Sequence, residues 1–152
     1  MLPMVTTMHE VDRVRQLLAQ AADELSREGL PFAMAPLGIM VEVPAVALAL
    51  DQFAVDFASI GSNDLLQYTM AAARDNPAVA PLADAAHPGF ETLLRLVVQG
   101  AAARAMPLSL CGDLASRPDQ VPRLLAAGLR SLSMPASAVG AVKSVISCWR
   151  SD

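Results

Sequence analysis

Charged residues are scarce in this sequence. Asp, Glu, Lys and Arg together make up 17% of its 152 residues, whereas an average soluble domain contains about 25%. The basic residues that are present do not cluster, and the net charge is −4. Nucleic acids and anionic membrane surfaces attract proteins that carry basic patches, so the composition excludes both from the expected partners.

Cysteine is also rare, since Cys111 and Cys148 are the only two. They lie far apart in the chain and form no Cys-x-x-Cys pair, which argues against a disulfide framework and against a structural zinc site. Free cysteines are typical of a reducing cytosol, and the sequence does not begin with the basic and apolar regions of a signal peptide. We therefore expect a cytoplasmic location.

Long uninterrupted apolar runs are missing too, although 54% of the residues are hydrophobic and the mean hydropathy is +0.42. Glu42 and Asp51 interrupt the longest candidate, so the sequence predicts no membrane insertion. We expect the excess of apolar residues to form surface that something outside this chain covers. Residues 1–5 already resemble a strand, and we expect the sequence to lack an N-terminal part of its fold.

Strand-like and helical segments alternate along the chain. Apolar runs predict strands at residues 1–5, 37–43, 56–61, 108–111 and 129–134. Helical spacing, N-terminal prolines and a capping box at Thr7 and Glu10 predict helices at residues 7–29, 45–53, 65–73, 89–106, 116–128 and 135–149. The alternation predicts a parallel α/β fold. On spacing alone, the strands fit either an open sheet or the last five strands of a (β/α)8 barrel.

Polar residues stand where three of the predicted strands end. Glu42 lies near the end of the second strand, Asn63 and Asp64 follow the third, and Cys111 ends the fourth. The carboxyl ends of the strands in a parallel barrel lie on one face of the fold, so these residues are expected to converge. Carboxylate and amide oxygens suit Mg2+ or Mn2+, ions that commonly keep water ligands and bind substrate phosphate as well.

Each of these residues also has a structural interpretation. Glu42 fits a solvated charge at a strand end, and Asn63 and Asp64 are both good N-cap residues. Cys111 fits a small buried apolar residue as well as a reactive thiol in an exposed turn. Arg74, at the start of a long irregular segment, fits either a solvated side chain or a cation that clamps a phosphate or carboxylate.

Several motifs occur together in the order and approximate spacing of a known family. They are Met40-Val41-Glu42-Val43-Pro44-Ala45, Ser59-Ile60-Gly61-Ser62-Asn63-Asp64-Leu65 with Gln67-Tyr68, Arg74-Asp75-Asn76, and Cys111-Gly112-Asp113-Leu114-Ala115. Leu2-Pro3-Met4 and His87-Pro88 fit the same pattern. On these motifs the sequence resembles the phosphoenolpyruvate-utilising enzymes, and most of all Enzyme I of the bacterial sugar phosphotransferase system, including its multiphosphoryl-transfer fusions.

The resemblance implies a partial TIM (β/α)8 barrel made of about its last five βα units. Residues 1–152 would form the C-terminal portion of the phosphoenolpyruvate-binding domain, with substrate and Mg2+ at its C-terminal face. Glu42 and Asp64 match the family's metal ligands, and Asn63, Asp64 and Arg74 match its phosphoenolpyruvate contacts. Cys111 matches the cysteine thought to protonate the enolate carbon. The metal and Arg74 would offset developing negative charge, and the thiol would act as the acid.

The resemblance also implies partners that this sequence does not contain. In the family, phosphoryl passes from phosphoenolpyruvate to a histidine on a separate mobile domain and on to a phosphocarrier protein, and pyruvate is released. Neither His9 nor His87 has the context of that histidine, and the phosphate-binding arginines of earlier barrel strands are absent. Val43, Leu66 and Asp113 depart mildly from the family pattern. We therefore expect this chain to be inactive alone and active only as part of the full-length enzyme.

Two other assignments stay open. The first is a fragment of a pyruvate phosphate dikinase or phosphoenolpyruvate synthase, which share several of the motifs. The second is a non-catalytic dimerisation or regulatory module, because the corresponding domain of Enzyme I mediates dimerisation. The resemblance therefore also implies a homodimer.

Overall fold

Three short parallel strands form the centre of the computed structural model, which describes residues 1–150. The strands are β1 (Ile39–Val41), β2 (Ala58–Gly61) and β3 (Leu108–Cys111), in the order β1-β2-β3. Ile39 lies opposite Ala58, and Ala58 lies opposite Leu108. Because neighbours in the sheet are also neighbours in the chain and run parallel, each connection must cross back over the sheet. The prediction of a parallel α/β fold is confirmed.

One further extended segment pairs with each side of this sheet. Leu2 forms a parallel bridge with Ile39, and Leu132 forms one with Leu110. The Leu2 N–H donates to the Gly38 carbonyl at 2.8 Å, so the bridge is a true backbone contact. The five predicted strands therefore lie side by side in chain order.

The predicted extent of the two outer strands was wrong, because each is reduced to a single bridge. Pro3 has no N–H to donate to a ladder, and Met4 adopts a left-handed conformation with φ of 52° that ends the extended segment. At the other side, Pro135 again lacks a donor and leads into the last helix. Pairing therefore stops at Leu2 and at Leu132.

Six α-helices connect or follow the strands. They are α1 (Met8–Arg27), α2 (Pro44–Leu48), α3 (Ser62–Met70), α4 (Pro88–Ala103), α5 (Val121–Ala126) and α6 (Ala136–Cys148). Short 3-10 turns occupy Leu50–Gln52, Ala80–Leu82 and Asp113–Ser116. Among residues 1–150, none of these helices combines the length and the hydropathy needed to cross a bilayer.

Two helices begin elsewhere than predicted. α3 begins at Ser62, directly after β2, and the left-handed Ala71, with φ of 51°, ends it. The predicted helix at residues 116–128 begins only at Val121. Arg117 is extended because a residue that precedes proline is disfavoured in the helical region, so Pro118 does not open a helix.

The core lies on one face of the sheet. Ile39, Val41, Ile60 and Leu110 are fully buried there in one apolar cluster with residues of α2 and α4. The alternate residues of the same strands point to the other face, because side chains in a strand alternate. That second face carries small and polar groups, and the Ser109 hydroxyl donates to the Ser59 hydroxyl at 2.9 Å.

Candidate functional site

Glu42 follows β1 directly and is 91% buried, with a relative exposure of 9%. Its Oε2 accepts the backbone N–H of Met4 at 2.9 Å. On its other side it lies against β2, since a Cβ added at Gly61 would be 2.8 Å from Oε1. The interpretation of Glu42 as a solvated strand-end charge is therefore wrong. Its carboxylate is held between the end of the N-terminal segment and the end of β2.

Asn63 and Asp64 lie in the first turn of α3, which starts without any loop after β2. The N-cap position belongs to Gly61, so the interpretation of either residue as the N-cap is wrong. Asn63 Oδ1 instead accepts the backbone N–H of Asp113 at 2.9 Å, across the gap to the turn after β3. The first turn of α3 is thus in direct contact with the turn that follows β3.

Arg74 lies beyond the end of α3 and forms an ion pair with Asp64. Arg74 Nη2 is 3.5 Å from Asp64 Oδ1, and the two side chains are 60% and 30% exposed. The Arg74 backbone N–H also donates to Gln67 Oε1 at 3.2 Å, which ties this position to the exposed side of α3. Exposed pairs contribute only about 0–1 kcal/mol to stability. The ion pair with Asp64 is therefore weak, and replacing Asp64 with another anion would cost the guanidinium little free energy.

Cys111 ends β3, paired with Gly61 of β2, and is half-buried. Its Sγ lies 3.5 Å from the Ile60 carbonyl oxygen, to which the thiol donates, and 3.7 Å from Met40 Sδ. The thiol therefore faces the side of the sheet opposite the apolar core. Cys148, the other cysteine, is exposed near the end of α6.

The structure brings these residues to one edge of the sheet. Glu42, Asn63 and Cys111 follow or end three adjacent strands, and each contacts an element that belongs to another of them. Arg74 is connected to the first turn of α3 through its ion pair with Asp64. The convergence predicted from the strand ends is thus observed for Glu42, Asn63 and Cys111.

Sequence reasoning missed Ser62 at this edge. Its side chain is fully buried, and its Oγ donates to the Cys111 carbonyl at 2.7 Å. A serine that follows a glycine at a strand end is a common turn signal, so nothing local distinguished it. Only its cross-strand partner reveals the role, and that partner lies 49 positions away in the sequence.

Comparison with known proteins identifies the family. Residues 1–150 match the phosphoenolpyruvate-utilising enzyme family over its phosphoenolpyruvate-binding domain. The chain belongs to this family.

Curated relatives of this phosphoenolpyruvate-binding domain are much longer proteins. The chain is 43% identical over 147 residues to a multiphosphoryl transfer protein of Escherichia coli O6:H1, covering 95% of the chain and 18% of that protein. It is 40% identical over 148 residues to a phosphoenolpyruvate-protein phosphotransferase of Haloferax volcanii, covering 96% and 26% respectively. A phosphotransferase of the same name from Geobacillus stearothermophilus is 41% identical over 142 residues, with 91% and 25% covered. The chain therefore spans only about a fifth to a quarter of these relatives.

The donor set of the domain limits the kind of metal that fits. Among residues 1–150, no group of three or more His, Cys, Asp or Glu side chains is placed to hold an ion. A site for a fully protein-ligated ion such as structural zinc is therefore a poor fit. The carboxylates of Glu42 and Asp64 fit an ion that takes one or two carboxylates and completes its shell with water and substrate oxygens. Mg2+ has that coordination chemistry.

The two histidines of the domain each stand at the start of a helix. His87 is the N-cap of α4, and its Nδ1 accepts the Gly89 N–H at 3.1 Å. His9 is exposed in the first turn of α1.

Proposed function

We propose that this chain is the substrate-binding part of an Enzyme I-type phosphoenolpyruvate-protein phosphotransferase. It would bind Mg2+ and phosphoenolpyruvate at the carboxyl ends of β1, β2 and β3. The full-length protein would pass the phosphoryl group to a histidine on another domain and then to a phosphocarrier protein in the cytoplasm. Family membership supports the substrate class, and the names of the relatives support the phosphotransferase assignment over a dikinase or synthase.

The observation that carries the proposal is the convergence of unlike polar groups at a single edge of the sheet. A buried carboxylate at Glu42, an amide at Asn63 and a half-buried thiol at Cys111 meet there from three parallel strands. Active sites of parallel α/β folds form at this end of the strands. An arrangement that served only stability would not need a carboxylate and a thiol on the face opposite the core.

Each side chain has a chemical role in the proposal. Glu42 and Asp64 would hold Mg2+, which offsets the negative charge of the phosphate and the enolate when it is bound. Asn63 would donate to the phosphate through its amide, and Arg74 would turn from Asp64 to the substrate as a planar cation. The Cys111 S–H bond would break as its proton forms a C–H bond with the enolate carbon, leaving pyruvate and a thiolate.

We also propose that the fold is the last part of a (β/α)8 barrel, with residues 1–152 as the C-terminal portion of the domain. All five extended segments run parallel and lie in chain order, which is the arrangement of barrel strands. The face opposite the apolar cluster carries Met40, Ser59 and Ser109, and it would be the barrel interior.

Calorimetric titration of the chain with phosphoenolpyruvate in the presence of Mg2+ tests the substrate proposal. We expect a binding signal that disappears in Asp64→Ala, because this change removes a carboxylate from the proposed metal site. Asp51→Ala is the matched control, since Asp51 is an exposed carboxylate in the turn before β2, away from the strand ends. No heat of binding in the unaltered chain, or equal losses in the two variants, would contradict the proposal.

A homodimer is a second proposal, favoured by the surface of α1. This helix of 20 residues buries only Val11 completely, and Leu17 and Leu18 on it are about half exposed. Leu30, Phe32 and Met34, in the segment that follows this helix, are exposed as well. Light scattering after size exclusion is expected to give twice the 16.0 kDa chain mass. Monomer mass at micromolar concentration would count against dimerisation.

A further inference from the structure

The first turn of α3 is fastened to the turn that follows β3 by two hydrogen bonds. Ser62 Oγ donates to the Cys111 carbonyl at 2.7 Å, and the Asp113 N–H donates to Asn63 Oδ1 at 2.9 Å. Ser62 is fully buried, so its hydroxyl bond to Cys111 forms away from water. We call these contacts of Ser62 and Asn63 with residues 111–113 the α3–β3 clamp.

The glycine between the two clamped positions is part of the same arrangement. Gly112 has a φ of 95°, in the left-handed region that favours glycine. A Cβ there would collide with Ser62 Oγ and lie 2.9 Å from Asn63 Oδ1. The backbone of the turn is therefore in direct contact with both clamping side chains.

The clamp acts at the point where the sheet ceases to hold Cys111. β3 ends at this residue, whose pairing with Gly61 is the last of the ladder between β2 and β3. The thiol reaches the Ile60 carbonyl at 3.5 Å and Met40 Sδ at 3.7 Å, both weak contacts for a sulfur. Ser62 directly follows Gly61, and its hydroxyl extends the contact between β2 and β3 by one residue because it holds the Cys111 carbonyl. The direction of the thiol then follows from the backbone.

We propose that Ser62 is a positioning residue, which sets the direction of the Cys111 thiol by holding the Cys111 carbonyl against the first turn of α3. Its consequence for proton transfer rests on the proposed function. The clamp itself does not, because its contacts exist without any ligand.

The rate at which iodoacetamide alkylates Cys111 in the full chain reports whether the clamp restrains the thiol. Cys148→Ser serves as the parent, since it leaves a single thiol and alters only an exposed position. Ser62→Ala is expected to raise the alkylation rate at least about threefold, because loss of a buried hydrogen bond frees the turn and lets the thiol rotate towards water. A smaller rise would overturn the proposal.

Thr69→Ala is the matched control. Thr69 lies in the same helix, and its Oγ1 donates to a backbone carbonyl, that of Leu65, at 2.6 Å. Its loss therefore removes the same kind of bond without touching the clamp. A merely structural effect would change both rates by the same factor, and that result would overturn the proposal.

Hydrogen exchange provides a second measurement that needs no variant, in case Ser62→Ala fails to fold. The Asp113 amide of the unaltered chain is expected to exchange at least about tenfold more slowly than in an unstructured peptide, since Asn63 accepts its proton. Exchange at the unstructured rate would overturn the clamp. Whether Mg2+ and phosphoenolpyruvate protect Cys111 from alkylation tests the proposed function separately. The proposed function and the role of Ser62 can therefore fail independently.

Discussion

Gly61 leaves room for the Glu42 carboxylate at the carboxyl end of β2. A Cβ at this glycine would lie 2.6 Å from Glu42 Cγ, much closer than packed carbon atoms approach. Its φ of −83° is open to any residue, so the requirement for glycine comes from contact and not from backbone conformation. The absence of a side chain at Gly61 therefore allows the Glu42 carboxylate to lie against β2.

Gly61→Ala is expected to destabilise the chain by about 1–3 kcal/mol, because the buried Glu42 side chain must move. It should also weaken any binding of Mg2+ and phosphoenolpyruvate, since the carboxylate leaves its place. Gly140→Ala in α6 is the control, as nothing lies within 4 Å of a Cβ there. That change should stabilise the helix by about 0.5–1 kcal/mol. Denaturant unfolding that ranks the two variants in the opposite order would refute the steric argument.

At the scale of elements, α1 shows how a local signal acts independently of the rest of the fold. The predicted capping box is present, and Glu10 Oε2 accepts the N–H groups of Thr6 and Thr7, both at 2.7 Å. These bonds, led by the one from Thr6, lower the pKa of Glu10 from 4.5 to about 2. Because this motif spans only four residues, it was readable from the sequence.

The lowered pKa of Glu10 makes the start of α1 sensitive to acid. A carboxyl whose pKa falls on folding contributes stability above its unfolded value, and this contribution fades as the pH drops towards the folded value. Glu10→Gln is therefore expected to reduce the free energy of unfolding most above pH 4.5, and progressively less between pH 4.5 and about 2. Denaturant titrations at several pH values check this. A difference between the variant and the unaltered chain that does not change with pH would contradict it.

Unlike the start of α1, the extent of the strands was only partly predictable from the sequence. Ile39–Val41 and Leu108–Cys111 were recognisable as short, mostly apolar runs, and Ile39, Val41 and Leu110 are buried in the fold. The outer segments at Leu2 and Leu132 carry similar apolar runs but form only bridges. Whether an extended segment becomes a strand depends on the neighbour with which it can exchange hydrogen bonds, and a run of residues does not contain that information.

At the scale of the whole molecule, the chain carries the residues proposed to bind phosphoenolpyruvate, whereas the proposed phosphoryl acceptor is a histidine on another domain. Neither histidine of residues 1–150 directly follows β1, β2 or β3, since His9 is in the first turn of α1 and His87 caps α4. The chain also covers only 18% and 26% of two curated relatives. We therefore expect no pyruvate when the chain is mixed with phosphoenolpyruvate, Mg2+ and a phosphocarrier protein.

A coupled assay for pyruvate checks this expectation. The phosphoenolpyruvate-protein phosphotransferase of Geobacillus stearothermophilus, treated in the same way, is the positive control. Pyruvate release by the chain above the rate without protein would show that it does not depend on another domain.

The sequence by itself determined the parallel α/β class, most helices and the group of polar strand ends. These features depend on spacing, capping and turn residues within short windows. Tertiary structure alone decided that Glu42 is buried against Gly61, that Asn63 is in the first turn of a helix and not its cap, and that Ser62 holds Cys111. The first and the last of these facts each join residues from distant segments of the chain. Contacts between distant segments depend on how the chain packs as a whole, and no local pattern encodes them.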